Sequence, residues 1–161
     1  MRNVTSIVVS VACLACAGAA LAHEPPTAGW NIHIDAKRHI AGDLEAIAHH
    51  YCKGDLPGGV TACQLYDSDE TNARLIGVEF IIGPDAYTAL PEDEQALWHH
   101  HKEEIGKVDP VLPGMTEDEA AEFVTSIEET YGKIFLVWDS PKDELPVGQP
   151  QAYDIADNAK R

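Results

Sequence analysis

The sequence is short of positive charge. Its 161 residues include 11 lysines and arginines against 27 aspartates and glutamates, which gives a formal net charge of −16. Nucleic acids and anionic membrane surfaces attract basic patches, so we expect neither as a partner. The excess of carboxylates favours cations as ligands, although most carboxylates of an acidic chain form a solvated surface.

Long hydrophobic runs are lacking except at the amino terminus. Arg2 precedes an apolar segment at residues 7–21, and Ala20 and Ala22 give the small-residue pattern of a signal-peptide cleavage site. The run is too short and too rich in small residues to predict a transmembrane segment. We therefore predict a signal peptide over residues 1–22, followed by export to the periplasm or the exterior.

Cleavage before His23 would leave a mature chain of residues 23–161. This chain would keep ten basic and 27 acidic residues, a formal charge of −17, because the leader holds one arginine and no carboxylate. Its length suffices for one domain with its own core. No internal repeat is present, so we predict a single domain with extended ends.

Cysteine is also scarce. Of four cysteines, Cys13 and Cys16 lie in the predicted leader, which leaves Cys52 and Cys63. An even pair in an oxidising compartment favours a disulfide, and closing a loop of this length stabilises a protein by about 2–3 kcal/mol. Two less favoured alternatives are lipid anchoring through Cys16 and metal coordination by Cys52.

Several enzyme motifs are missing as well. The chain has no Gly-x-Ser-x-Gly nucleophile elbow, no phosphate-binding glycine loop and no dinucleotide fingerprint. It matches none of the standard zinc motifs either. Nucleophilic hydrolysis and nucleotide-dependent chemistry therefore have little support.

The pattern of apolar residues predicts an α+β domain. Alternation predicts strands over residues 61–67, 74–82 and 133–138. Helical spacing predicts helices over residues 40–51 and 91–105, and a capping box at Thr116 opens a third that ends at Gly132. We expect a small antiparallel sheet packed with about three helices.

Three consecutive histidines, residues 99–101, are the most distinctive feature that the chain does have. Because successive helical residues turn by about 100°, His101 and Glu104 would share the apolar face of the predicted helix. His99 would point away and His100 would lie at the border, so we expect both on a solvated face. A buried His–Glu pair needs a partner, since burying charge is costly.

A second conspicuous carboxylate is Glu79, which lies among apolar residues of a predicted strand. Zinc, copper and iron all accept imidazole and carboxylate ligands. The candidate ligands of a transition-metal site are His101, Glu104, Glu79, His50, His49 and His33. The alternative is a buried polar network that only fixes the helices to the sheet. A less favoured hypothesis is Cu(II) chelation by the terminal amine and ring of His23.

Several motifs together resemble a known family. In order, they are His49-His50-Tyr51-Cys52, Cys63-Gln64-Leu65-Tyr66-Asp67-Ser68, the segment 72–82, Leu97-Trp98-His99-x-His101-x-x-Glu104-Ile105, Tyr131-Gly132-Lys133 and Leu145-Pro146-x-Gly148-x-Pro150. Over residues 30–153 the chain resembles the oil body-associated protein family. The resemblance implies association with lipid droplets in plant relatives but no agreed enzymatic activity. Relatives often have a histidine where this chain has Leu136, so a family site that used it would be altered here.

The leading interpretation is an exported binding protein whose His/Glu site holds a transition metal. A metal-dependent enzyme would use the same site through an open coordination position. A non-catalytic structural or lipid-surface protein is the third hypothesis, in which the histidines only pack. The sequence indicates no oligomeric state.

Overall fold

Pairing of extended segments dominates the computed structural model, which describes residues 24–160. The predicted leader, with Cys13 and Cys16, and His23 lie outside the described residues. The strands are β1 (Ile32–Lys37), β2 (Ile47–Leu56), β3 (Val60–Tyr66), β4 (Leu75–Ile82), β5 (His99–His100), β6 (Tyr131–Leu136), β7 (Gln151–Asp154) and β8 (Ala159–Lys160). The helices are α1 (Pro84–Thr88), α2 (Glu92–Gln95), α3 (His101–Val108) and α4 (Glu117–Ile127).

All strands belong to one antiparallel sheet. Seven follow the order β1-β2-β3-β4-β6-β7-β8, and the short β5 pairs separately with β6. The four helices all lie in the connection between β4 and β6, which are neighbours in the sheet. This connection is tied back to the edge strand β1, because Asp35 and Val111 exchange two backbone hydrogen bonds of 2.8 and 2.9 Å.

The core lies against one face of the sheet. Directly paired residues of antiparallel strands point to the same face, and the pairing of Cys63 with Glu79 and of Glu79 with Ile134 places all three there. Leu65 and Ile134 on this face are completely buried. A carboxylate therefore lies in the centre of an apolar layer.

The predicted disulfide is confirmed. Cys52 on β2 and Cys63 on β3 are direct cross-strand partners and are bonded to each other. Both are almost completely buried within the core cluster. The metal-ligand alternative for Cys52 is therefore wrong, because its thiol is consumed in the bond.

The helix predicted over residues 40–51 is wrong, because residues 47–56 form β2. The apolar residues at 40, 44, 47 and 51 happened to fit helical spacing. The side chains that are buried are instead Ala48, His50 and Cys52, with the period of two that defines a strand. Small and polar residues carry this alternation, so a search for large apolar residues missed it.

The helix predicted over residues 91–105 is divided into three elements. Residues 92–95 form α2, residues 99–100 form β5, and α3 begins only at His101. The backbone of this segment is extended, because His99 pairs with Gly132 and His100 pairs with Tyr131. Sheet pairing thus replaces the helical turn that the apolar spacing indicated.

The other predicted elements are recovered with shifted ends. β3, β4 and β6 correspond to the three predicted strands. The capping box is present at α4, where the Glu119 carboxylate accepts from the Thr116 backbone at 2.8 Å, but the helix ends at Ile127 instead of Gly132. The described residues form a single small domain, which is dominated by its sheet and has four helices rather than about three. The carboxyl-terminal tail, expected to be extended, adds β7 and β8.

No helix in the described part of the chain is long and apolar enough to cross a bilayer.

We predict that replacing both disulfide cysteines, Cys52→Ala with Cys63→Ala, lowers the free energy of unfolding by about 2–3 kcal/mol through loss of loop closure. Urea denaturation at neutral pH measures the change. Reduced wild-type protein keeps both sulfur atoms and separates the loss of the cross-link from the loss of packing. A difference below about 0.5 kcal/mol between oxidised and reduced wild type would contradict the prediction.

Candidate metal centre

The centre is built around the carboxylate of Glu79. This side chain extends from the middle of β4 onto the core face and is only 4% exposed. Its cross-strand neighbours on that face, Cys63 and Ile134, are apolar and buried. An ionised carboxylate in such a place requires cationic or hydrogen-bonding partners.

Four imidazoles surround this carboxylate. His99 Nε2 lies 3.3 Å and His101 Nε2 lies 3.4 Å from Glu79 Oε1. His50 Nε2 lies 3.6 Å from the other oxygen, Oε2. His39, in the loop after β1, packs its ring edgewise on His50 with 4.6 Å between ring centroids. Glu79 is therefore the common member of two groups of potential ligands, one with His99 and His101 and one with His39 and His50.

The hydrogen bonds of Thr130 fix the tautomer of His101. The Thr130 hydroxyl donates to the Ile127 carbonyl at 2.6 Å, so its proton is already used. It lies 2.7 Å from His101 Nδ1 and must accept a hydrogen bond there. His101 is therefore protonated on Nδ1, and in the neutral ring Nε2 presents a lone pair toward Glu79.

His50 and His39 are oriented in the same way by backbone carbonyls. His50 Nδ1 lies 3.1 Å from the carbonyl oxygens of Ile34 and Ala48, and His39 Nδ1 lies 2.6 Å from that of Lys37. A carbonyl oxygen only accepts, so Nδ1 carries the proton in both rings and Nε2 is left as the basic atom. Protein groups that hold Nδ1 in this way are typical of metal-binding histidines.

The separations suit an ion better than direct hydrogen bonds. In the neutral rings the Nε2 atoms of His50 and His101 are acceptors, like the carboxylate oxygens that they face at 3.6 and 3.4 Å. Hydrogen bonds between nitrogen and oxygen are usually about 2.9 Å long. A tetrahedral zinc ion with bonds of about 2.1 Å separates its ligand atoms by roughly 3.4 Å. Among the described residues, the buried Nε2 atom of His99 has no hydrogen-bond partner.

Electrostatics favour a charged carboxylate and neutral imidazoles on the His39–His50 side. Burial opposes ionisation of Glu79, but hydrogen bonding and charge attraction by His101 and His99 outweigh burial and hold its pKa well below the usual value, whether a proton or a metal ion lies between them. Burial, aided by repulsion from His50, lowers the pKa of His39 to about 3. Burial also lowers the pKa of His50. At neutral pH the carboxylate is therefore charged and these two imidazoles are neutral, which are the forms in which both groups bind metal ions.

A small cavity of about 50 Å³ lies among these side chains. This space accommodates an ion with a water molecule. Glu104, on α3, lines the cavity and is 5% exposed. Its Oε2 atom is buried and has no hydrogen-bond partner within residues 24–160, and Oε1 lies 3.4 Å from Lys107 Nζ. Glu104 is not a member of either group around Glu79.

Gly132 makes room for the carboxylate and one imidazole. It pairs with both Ile81 on β4 and His99 on β5. A Cβ atom at this position would overlap Glu79 Oε1 and His99 Nε2. The missing side chain therefore leaves the space in which these two groups meet.

The structure divides the residues selected from the sequence into two places. Glu79, His50 and His101 come together, and Glu104 lies beside them. His33 and His49 lie on the opposite face of the sheet, with Asp35 and Asp69. Neighbouring strand residues point to opposite faces, so His49 and His50 cannot share a site on β2. The predicted helix concealed this separation.

Two residues of the centre were not selected from the sequence. His99 was expected on a solvated face, but β5 turns it toward Glu79, and its side chain is only 10% exposed. His100 points the other way and stacks on Tyr131, with 4.6 Å between ring centroids. His39 lies in a loop, and no periodicity connects it to the strands. If residues 47–56 had been identified as a strand, the alternation of side chains would have placed His49 and His50 on opposite faces of the sheet.

Comparison with known proteins places the chain beside a family without an assigned function. Residues 24–159 match the family model described as "Protein of unknown function (DUF1264)". The chain is 34% identical over 129 residues to oil body-associated protein 2C of Arabidopsis thaliana, covering 78% of this chain and 54% of that protein. It is 38% identical over 125 residues to oil body-associated protein 1A of Zea mays, covering 74% and 51% respectively. The chain thus spans about half the length of these relatives. No solved structure gives a significant match.

We predict that Gly132→Ala lowers the free energy of unfolding by about 1–3 kcal/mol, because its methyl group enters a filled space. The backbone of Gly132 is not in the left-handed region, so the substitution tests the overlap with Glu79 and His99 and not backbone strain. The matched control is Gly106→Ala on α3, which has open space around it and should be stabilised by about 0.5–1 kcal/mol. Denaturant titration of both variants gives the comparison. Equal stability of the two variants would show that Glu79 and His99 do not occupy this space.

Proposed function

The chain belongs to the DUF1264 family, and we propose that it is a protein that binds a transition-metal ion at Glu79. The observation that carries this proposal is the orientation of the imidazoles. His39, His50 and His101 each have Nδ1 held by a protein acceptor, which leaves Nε2 for the carboxylate side. Atoms that only accept in their neutral forms converge, and a cation between them resolves the conflict.

The proposed ion lies between Glu79, His99 and His101. These residues supply one carboxylate oxygen and two Nε2 atoms. Glu79 Oε1 lies 3.3 Å from His99 Nε2 and 3.4 Å from His101 Nε2. His50 faces the other carboxylate oxygen at 3.6 Å, and His39, which packs on His50, completes a second group of potential ligands with Glu79. A set of imidazole and carboxylate without thiolate suits zinc, copper or iron. Glu104 would orient a water molecule on the ion.

A buried polar network is the competing account of the same residues. In that account a proton takes the place of the ion, and an imidazolium ring pairs with Glu79. Such a network would stabilise the packing of α3 on the sheet without binding metal. The two accounts differ in whether the folded protein holds an ion that depends on Glu79.

A second candidate function is a metal-dependent enzyme. His99 and Glu104 line both the small cavity at Glu79 and an open cleft of about 360 Å³. Tyr87 and Tyr131 stack in this cleft, with 3.6 Å between ring centroids. An ion with one exchangeable position facing the cleft could act on a bound substrate. Azide addition to Co(II)-loaded protein tests this function, because an open position gives a changed visible spectrum and a closed one does not.

We also propose that the protein is exported. The sequence pattern of residues 1–22 and the Cys52–Cys63 disulfide support an oxidising compartment. Mass spectrometry of the mature amino terminus tests the proposal. A chain that begins at His23 agrees with export, and a retained leader contradicts it.

We predict that Glu79→Gln lowers the zinc content of the reloaded protein by about one equivalent per chain, because an amide is a poor ligand and carries no charge. The untagged protein is stripped with a chelator, reloaded with zinc, freed of excess metal and measured by mass spectrometry of its metal content. Other sites contribute equally to both proteins, so the difference between wild type and variant is the informative quantity.

Two neighbouring substitutions serve as controls for the metal analysis. His100→Ala removes an imidazole between two proposed ligands, but His100 stacks on Tyr131 and faces away from Glu79. Glu103→Gln removes an exposed carboxylate next to Glu104. Both should keep the wild-type metal content. If folded Glu79→Gln binds as much zinc as wild type, the polar network explains the site.

A further inference from the structure

We propose that the protein has a second site, for an exchangeable divalent transition-metal ion, on the outer face of its sheet. The ligands are His33, Asp35, His49 and Asp69. These residues share no member with the group around Glu79. The inference is therefore independent of the proposed function of the buried centre.

Strand pairing brings three of the four ligands together. His33 and Asp35 are alternate residues of β1 and so point to the same face. His49 on β2 is the direct partner of Asp35, which places it on that face as well. Asp69 comes from the turn between β3 and β4 and closes the group from the side.

The four side chains converge on a small space. His33 Nε2 lies 3.0 Å from Asp35 Oδ1 and 3.2 Å from Asp69 Oδ1. His49 Nδ1 lies 2.6 and 3.1 Å from the same two oxygens. All four ligand atoms lie within 4.8 Å of one another. Two imidazole nitrogens and two carboxylate oxygens are the number and kind of ligand atoms that a tetrahedral zinc ion takes. Their present spacing is that of hydrogen bonds, so ion binding would replace the His49–Asp35 contact and move the ligand atoms apart to roughly 3.4 Å.

One hydrogen bond links two of these ligands, since His49 Nδ1 lies 2.6 Å from Asp35 Oδ1, but the Nε2 atom of His33 is left out of it. That atom is buried and makes no hydrogen bond within the described part of the chain, although two carboxylate oxygens lie close to it. A divalent ion would bind His33 Nε2 and neutralise the charge of the two carboxylates.

Tyr51 supports two of the proposed ligands. Its hydroxyl donates to Asp69 Oδ1 at 2.8 Å. Its ring stacks on His33, with 4.5 Å between centroids and 13° between planes. Contacts of this kind fix the orientation of metal ligands and raise affinity.

The surroundings predict faster exchange than at the buried centre. The side chains of His33, Asp35 and His49 are 14–18% exposed, and that of Asp69 is 47% exposed. Asp69 also borders an open cleft of about 380 Å³ with Trp30 and Tyr66. Solvent therefore reaches this ion, whereas Glu79 is enclosed. A mild chelator should remove the outer ion first.

The test uses zinc as the probe and the full mature chain in a Glu79→Gln background, so that the buried centre does not contribute. Isothermal titration should show about one zinc site, and Asp35→Asn with Asp69→Asn should weaken it at least about 100-fold. The control is Glu70→Gln, an exposed carboxylate next to Asp69 that belongs to no ligand group. It should bind like the parent.

Nitrogen NMR of the imidazole rings gives a readout that needs no ligand substitution. Zinc should shift Nε2 of His33 and Nδ1 of His49, the atoms that face the carboxylates, and leave His100 unchanged. Titration without these shifts, or equal zinc affinity of a folded Asp35→Asn/Asp69→Asn variant, overturns the second site. A Glu79→Gln variant that passes this test and yet contains as much metal as wild type would contradict the proposed metal site at Glu79 and leave the second site standing.

Discussion

The rest of the structure depends on one constraint, which is a carboxylate placed in the centre of an apolar sheet face. Glu79 lies between Cys63 and Ile134, where an unpaired charge would cost several kcal/mol. The imidazoles around it come from the loop after β1, from β2, from β5 and from α3. Compensation of this single charge therefore links the β1–β2 end of the sheet to the connection that carries the helices.

The topology explains how distant residues reach this point. All four helices lie in the connection between two neighbouring strands, so the chain leaves β4 after Glu79 and returns beside it. Pairing of β5 with β6 directs His99 inward and His100 outward. The first turns of α3 then place His101 and Glu104 on one buried face. Gly132 leaves the space that these groups need.

The sequence predicted those parts that large apolar residues specify. Alternation around Glu79 revealed β4, and its apolar neighbours made the carboxylate conspicuous. The spacing of His101 and Glu104 correctly placed both inside, because that three-residue interval is helical in the structure too. β2 was missed because its buried residues are Ala48, His50 and Cys52, which carry a weak hydrophobic signal. The roles of His39 and His99 depend on a loop and on a two-residue strand, which only long-range pairing defines.

Anomalous diffraction from crystals of the zinc-loaded protein tests the central claim most directly. The account predicts a peak at the zinc edge within about 2.0–2.2 Å of a Glu79 oxygen and of Nε2 of His99 and His101. The proposed second site, with His33, Asp35, His49 and Asp69, gives a separate peak in the same crystal, because an ion there lies on the opposite face of the sheet. Ordered density for these side chains without an anomalous peak at Glu79 would contradict the account and leave a buried proton network in its place.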